Sequence, residues 1–171
     1  MENVKKKEGV FPIDREILEY TQKEAEKFFG TLDDPEQIPI TMESHDKLEA
    51  IDPNSMLYKR DVDGNVVGWT IFIPTTSVLM NRFLSGEINE RQLFDQTQIG
   101  DNYDALYLCS IIVPPEYRGK GYAKDLGREA LKRFSDTPCI QNVFAWPFSE
   151  EGKQLLDHAK DLGLDVHVRK G

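Results

Sequence analysis

Cysteine is scarce in this chain. Cys109 and Cys139 are the only two, too few for a disulfide framework. Cys109 also lies in an apolar run, where a free thiol usually serves as a small core residue. No hydrophobic stretch is long enough to span a membrane. The opening Met1 to Lys7 is polar and charged, unlike a secretory leader. Basic residues are in deficit, with 21 Lys and Arg against 30 Asp and Glu and a net charge of −9. That balance argues against general binding to nucleic acid or an anionic membrane. It suits a cationic partner such as an amine, and equally an acidic surface that only keeps the protein soluble. No His, Cys, Asp and Glu set has metal-ligand spacing, and no nucleophile–His–Asp order emerges. The expectation is therefore no metal, no acyl-enzyme and a reducing, cytoplasmic home. A chain of 171 residues has the length of one domain, enough to bury a substantial core.

Apolar periodicity sets out the elements. Met1 to Gly9 reads as a loose, lysine-rich start. Ile13, Ile17, Leu18, Ala25, Phe28 and Phe29 recur at helical spacing, with Asp14 as N-cap and Gly30 as stop. Residues 31–39 read as a loop, and His45 to Ala50 as a short helix. Ser55 to Arg60 and Val66 to Ile73 are strand-like, joined through Asp63-Gly64, a hairpin signal, with Pro74 closing the second. Thr75 to Thr97 reads as two helical pieces broken at Ser85-Gly86, the second capped by Asn89 with Gln92. Ala105 to Val113 is apolar almost throughout, as a strand buried on both faces would be. A helix over Ala123 to Phe134 follows, then a strand over Ile140 to Trp146. A last helix capped by Ser149 ends at Gly163, and a final strand covers Asp165 to Arg169. The order predicts an α/β (α+β) fold, a mixed sheet flanked by helices, in one domain over 1–171.

The stretch Ile111-Ile112-Val113-Pro114-Pro115-Glu116-Tyr117-Arg118-Gly119-Lys120-Gly121-Tyr122-Ala123 carries the chemistry. A β-branched strand end meets a proline pair, a glycine-punctuated turn and a helix start. Glycine lets the backbone pass close to a ligand. The unpaired N–H groups of the helix's first turn then face the same space, with the positive end of the helix dipole behind them. A phosphate or pyrophosphate fits such a pocket. A P-loop would need Ser or Thr after Gly-Lys, but Gly121 follows Lys120. A dinucleotide fingerprint would need a third glycine, but Lys124 holds that place.

The stretch closely resembles motif A of the GNAT N-acetyltransferase superfamily, Arg/Gln-x-x-Gly-x-Gly/Ala after a strand ending Val-x-Pro. Arg118, Gly121 and Ala123 fill the motif, and Val113 and Pro115 fill its lead-in. The resemblance implies acetyl-CoA as co-substrate. Its pyrophosphate would lie on Arg118, Gly119, Lys120, Gly121, Tyr122 and Ala123, and its pantetheine arm along the backbone of Ile111, Ile112 and Val113. It also implies an acceptor amine, either a small molecule or a peptide. The helical piece over 75–97 departs from the family's usual shorter connection. It is read as covering the acceptor site, elaborating the packing or forming a homodimer surface.

Aminolysis of an acyl thioester needs a proton acceptor for the amine, a donor for the developing oxyanion and stabilisation of the leaving thiolate. Several members of the family carry a glutamate on the central strand as base. Aligned on Arg118, that place is held by Tyr107, and a neutral tyrosine is a poor base at pH 7. Asp104 lies just upstream and is the carboxylate candidate. The family's thiolate-protonating tyrosine falls on Ala159 here, with His158 adjacent as a titratable alternative. The catalytic candidates are thus Tyr107, Asp104 and His158. Tyr107, Cys109, Tyr122, Trp146 and Phe148 are candidates for the cleft lining. Two readings compete: an acyl-CoA-dependent N-acetyltransferase acting by direct attack in a ternary complex, and a non-catalytic acyl-CoA-binding or regulatory module of the same fold.

Overall fold

The computed structural model describes residues 7–29, 38–135, 139–147, 150–161, 163 and 165–170. Residues 25, 28, 29, 135, 150–152, 154, 155 and 158 are described as backbone only. Six strands form one sheet in chain order: β1 (Gly9–Pro12), β2 (Met56–Arg60), β3 (Val66–Thr75), β4 (Ala105–Ile112), β5 (Asn142–Ala145) and β6 (Val166–Val168). The first four are antiparallel neighbours, and β4, β5 and β6 run parallel. The parallel steps need crossovers, supplied by α5 (Tyr122–Ser135) and α6 (Glu150–Asp161). The remaining helices are α1 (Arg15–Phe29), α2 (Met42–Ile51), α3 (Ser77–Leu84) and α4 (Glu90–Gln96).

Two apolar layers sandwich the sheet. On one face Ile17, Leu18, Leu48, Leu79, Phe83, Leu93 and Phe94 pack from α1 to α4 onto Trp69, Ile71, Ile73, Tyr107 and Phe144. On the other face Leu126, Ala130, Leu131, Phe134, Leu156 and Ala159 pack from α5 and α6 onto Leu57, Phe72, Leu106, Leu108 and Ile111.

Most of the expected elements form, and their caps are built as the sequence suggests. Asp14 accepts from the Ile17 N–H at 3.0 Å. Asn89 and Gln92 close a reciprocal capping box at the start of α4. Two readings need correction. The start of the chain is not wholly loose, because Gly9–Pro12 pairs with β2 as an edge strand. Pro74 does not close β3, which runs on to Thr75 opposite Ala105. The Phe72 N–H bonds to the Ser55 carbonyl on the β2 side. The Pro74 nitrogen, two residues on, faces that same side beyond the start of β2, so no ladder bond is lost. The expected roles of Gly30, Phe148 and Ser149 lie outside the described residues.

The two helices over 75–97 are built firmly into the fold. Asp104 takes the Ser77 backbone N–H at 2.6 Å and the Ser77 hydroxyl at 2.8 Å, which anchors α3 to the start of β4. The Thr75 and Thr97 hydroxyls meet at 2.7 Å in a buried pair. Lys47 of α2 donates to the Phe94 carbonyl at 2.6 Å and lies over the Phe94 ring at 4.6 Å. Burial holds the Lys47 pKa below the usual lysine value, opposed by the charge of Asp95.

One close approach sets the position of α5. A Cβ on Gly68 of β3 would sit 2.7 Å from Leu126 Cδ1 and 2.9 Å from the Ile112 carbonyl oxygen. Glycine at this position lets α5 dock onto the strands beside the end of β4. Gly68→Ala should therefore cost about 1–3 kcal/mol of stability, read by urea unfolding. The β2–β3 turn gives a second test. Asp61 accepts from the Asp63 and Asn65 N–H groups, each at 2.9 Å. Desolvation pushes its pKa up, but those bonds and the charge of Lys120 outweigh it and hold the pKa below the usual carboxylate value. A depressed pKa gives stability that is full above the unfolded value and is lost as pH falls through the folded value. Asp61→Ala should cost about 1 kcal/mol at pH 7, and the gap to the native protein should narrow as pH falls below about 4.

Candidate active site

β4 outruns its parallel neighbour. Pairing with β5 ends at Leu108 opposite Ala145, whereas β4 continues to Ile112. On its other side β4 stays paired to β3 through Ile112, with an irregularity that leaves Cys109 as an extra residue between Leu108 and Ser110. A bulge of this kind bends the strand and increases its twist. Beyond Leu108 the β5 side of β4 therefore has no strand partner among the described residues. Main-chain donors and acceptors there are available to an extended ligand.

The open edge leads into the glycine turn. Pro115–Tyr117 forms one tight helical turn, and the Arg118 guanidinium Nε then reaches back to the Val113 carbonyl at 2.9 Å. Gly119 and Gly121 have φ of 81° and 83°, a region costly for any residue with a Cβ. No atom lies within 4 Å of where a Cβ at either position would be, so both face open space. The first helical bond of α5 runs from the Asp125 N–H to the Gly121 carbonyl at 3.1 Å. The N–H groups of Tyr122, Ala123 and Lys124 consequently have no partner within the helix. These amides, backed by the helix dipole and flanked by Arg118 and Lys120, form an anion cradle at the end of the β4 track. This donor set fits a pyrophosphate. Lys59 of β2 lies 6.0 Å from the Tyr122 ring centroid.

The catalytic candidates separate. Asp104 precedes β4 and has both oxygens engaged by Ser77. Its backbone also ties Thr75, Gln141 and Asn142 together. It lies four residues before the point where the edge opens, on the order of 13 Å along the strand. Its observed work is to anchor the start of α3. Tyr107 is fully buried, stacked on Phe144 at 5.0 Å and edge-on to Phe83 at 5.0 Å. Its hydroxyl donates to Glu90 Oε1 at 2.8 Å. Desolvation first, and then the Glu90 charge, push its pKa well above the ordinary tyrosine value, so it stays a neutral donor. His158 belongs to α6, but its side chain lies outside the described residues. Ala159 beside it is buried against the sheet.

Glu90 is the residue that sequence reasoning missed. It is the first residue of α4 and only 6% exposed. Its Oε1 accepts both from Tyr107 and from the Cys109 thiol, the latter at 3.4 Å. Desolvation, followed by the Glu90 charge, raises the Cys109 pKa well above the ordinary thiol value. Arg169, just after β6, completes the surroundings. Its guanidinium sits 4.6 Å from the Phe83 ring centroid and 4.5 Å from that of Trp146. It also donates to the Ile88 carbonyl at 3.0 Å, and its charge opposes the rise in the Tyr107 pKa. A signal for Glu90 was present in the sequence. Positions 90, 93, 94 and 97 share one helical face, and Leu93, Phe94 and Thr97 are all buried.

No group of three or more His, Cys, Asp and Glu able to hold a metal occurs among the described residues, and no described helix is long and apolar enough to cross a membrane.

Comparison with curated proteins returns no relative. Solved structures are similar in fold. A ribosomal-protein-alanine N-acetyltransferase from Brucella melitensis biovar Abortus 2308 superposes with a TM-score of 0.51 at 19% identity, over 86% of this chain and 87% of that one. The aminoglycoside N-acetyltransferase AAC(6')-Iy, solved in complex with CoA, gives 0.54 at 14% identity over 95% and 91%. Arylalkylamine N-acetyltransferase 2 from Aedes aegypti gives 0.54 at 16% identity over 91% and 81%. The sequence model described as the Acetyltransferase (GNAT) family matches residues 15–163. With motif A on its loop and the mixed sheet around it, this chain belongs to the GNAT acetyltransferase family.

Proposed function

We propose that the protein transfers an acetyl group from acetyl-CoA to a primary amine by direct attack within a ternary complex. The observation that carries this reading is a continuous track. The β5 side of β4 opens after Leu108 and runs into the turn at Gly119 and Gly121, whose open faces lead to the start of α5. The β4 backbone would pair with the pantetheine arm, and the turn amides with Arg118 and Lys120 would hold the pyrophosphate. A β4 N–H beyond the bulge would donate to the thioester carbonyl oxygen, where negative charge develops. Holding thioester and amine in contact supplies much of the rate without a covalent enzyme intermediate. The solved relatives whose names give acceptors act on a ribosomal-protein alanine, an aminoglycoside and an arylalkylamine. All offer an amine, and they support that class of acceptor here.

One observation favours the second reading, a coenzyme-binding module without turnover. The family's base position is a buried tyrosine, and its thiolate-protonating position is the buried Ala159. Calorimetry with acetyl-CoA, followed by thiol release against a panel of primary amines, separates the two. Binding with amine-dependent release is the expected result, and binding without release favours the module or an acceptor outside the panel. Gly121→Glu places a carboxylate and a Cβ where the anion must sit. It should lower acetyl-CoA affinity by about 100-fold or more while far-UV circular dichroism stays native. Undiminished affinity would remove the turn from the coenzyme site.

A further inference from the structure

We infer that Glu90, brought in by the helical insertion, is the proton acceptor for the amine and that the acceptor is a protonated primary alkylamine. The inference rests on the acetyl-transfer reading above. The place where the family carries a base is Tyr107 here, and its hydroxyl points to Glu90. The carboxylate therefore arrives from α4 instead of β4, and lies one side chain from the same strand. Cys109 is the first residue past the end of the β4–β5 pairing, is only half-buried, and is 3.4 Å from Glu90 Oε1. A thioester laid along the open edge would place its carbonyl beside Cys109, within reach of Glu90 directly or through one water.

The surroundings suit that work. Two neutral donors, the Tyr107 hydroxyl and the Cys109 thiol, hold Oε1 in a fixed place. Phe83, Phe144 and Trp146 form an aromatic wall beside it. The Arg169 guanidinium on that wall adds a fixed positive charge, which disfavours keeping a second cation protonated nearby. Glu90 takes one proton from the ammonium and returns it to solvent. The freed nitrogen bonds to the thioester carbonyl carbon, and the carbon–sulfur bond breaks. The second proton on nitrogen passes to the departing thiolate, leaving amide, free thiol and one released proton.

The test compares two amines of nearly the same size, ethylamine, which is protonated at pH 7, and trifluoroethylamine, which is neutral there. Glu90→Gln keeps the shape and an oxygen to accept from Tyr107. It should leave acetyl-CoA affinity unchanged and lower kcat with ethylamine by about 100-fold or more. The loss with trifluoroethylamine should be several-fold smaller, because that amine needs no deprotonation before attack. Equal losses with both amines would reduce Glu90 to a packing group and overturn the inference. So would recovery of activity in the double variant Glu90→Gln with Tyr107→Phe, which leaves neither partner wanting the other. Unchanged activity in Glu90→Gln would overturn it as well, while acetyl transfer itself stands. If the native protein binds acetyl-CoA but acetylates neither amine, the alkylamine assignment fails. If it binds no acetyl-CoA, the failure lies with the underlying reading.

Discussion

β5 follows β4 only as far as Leu108, opposite Ala145, while β4 continues to Ile112 held by β3 alone. The rest of the site depends on that divergence. A strand in mid-sheet normally has both edges satisfied, and an unpaired edge inside a fold is costly unless something else bonds to it. The bulge at Cys109 turns the strand at the point where its neighbour departs, and the cleft that opens has main-chain donors along one wall. The glycine turn and the start of α5 come directly after, so the same cleft ends at an anion cradle. Gly68 belongs to the same arrangement. Its lack of a side chain lets Leu126 and the Val113 side chain close over β3, which fixes the first turn of α5 relative to the strand that feeds it.

The helical pair over 77–96 works as a second wall rather than a loose appendage. Each end is tied to a different part of the scaffold: Ser77 to Asp104, Thr97 to Thr75, the Phe94 carbonyl to Lys47 and the Ile88 carbonyl to Arg169. Buried carboxylates persist only where donors compensate for lost water, and Glu90 has Tyr107 and Cys109. The three-way contact gives β4 side chains a carboxylate partner that β4 itself lacks. Burial first, and the Glu90 charge after it, raise the pKa of both the Tyr107 phenol and the Cys109 thiol beside it.

The sequence was most readable where backbone chemistry dictates the outcome. The turn at Gly119 and Gly121, the Asn89–Gln92 capping box, the doubly buried β4 and the helix stop at Gly163 all follow from steric rules or hydrogen-bond accounting over a few residues. Two partnerships are settled at long range. Asp104 lies just upstream of the central strand, yet the partner of its side chain, Ser77, is 27 residues away. Glu90 stands in the first turn of a helix, where a carboxylate ordinarily favours the dipole and faces water. Its inward turn depends on which face α4 presents to β4, which is settled by tertiary packing. The edge strand β1 escaped for a related reason, since Gly-Val-Phe-Pro is too short to show alternation and becomes a strand only because β2 offers it a partner.

Net charge and local field point in opposite directions in this molecule. A chain at −9 is a poor match for a polyanionic ligand if charge is summed over the whole surface. At physiological salt, however, exposed charges are screened beyond about 8 Å, and the cradle is dominated by what lies inside that radius: the amides of the α5 first turn, Arg118 and Lys120. Two acidic groups lie near the turn. Asp61 accepts from Asp63 and Asn65 and also feels the charge of Lys120. Glu116 acts on Tyr117 of the turn itself and, more weakly than Glu24 and Tyr117, on Tyr20 of α1, whose pKa rises to about 12 through burial first and these groups after it. That phenol remains neutral on the α1 side of the sheet. The cradle lies past the end of β4, whereas Glu90 meets the middle of the strand at Tyr107 and Cys109 with the Arg169 guanidinium on the aromatic wall beside it. Carboxylate and guanidinium offset one another there, so the contrast in field along β4 comes from the cradle.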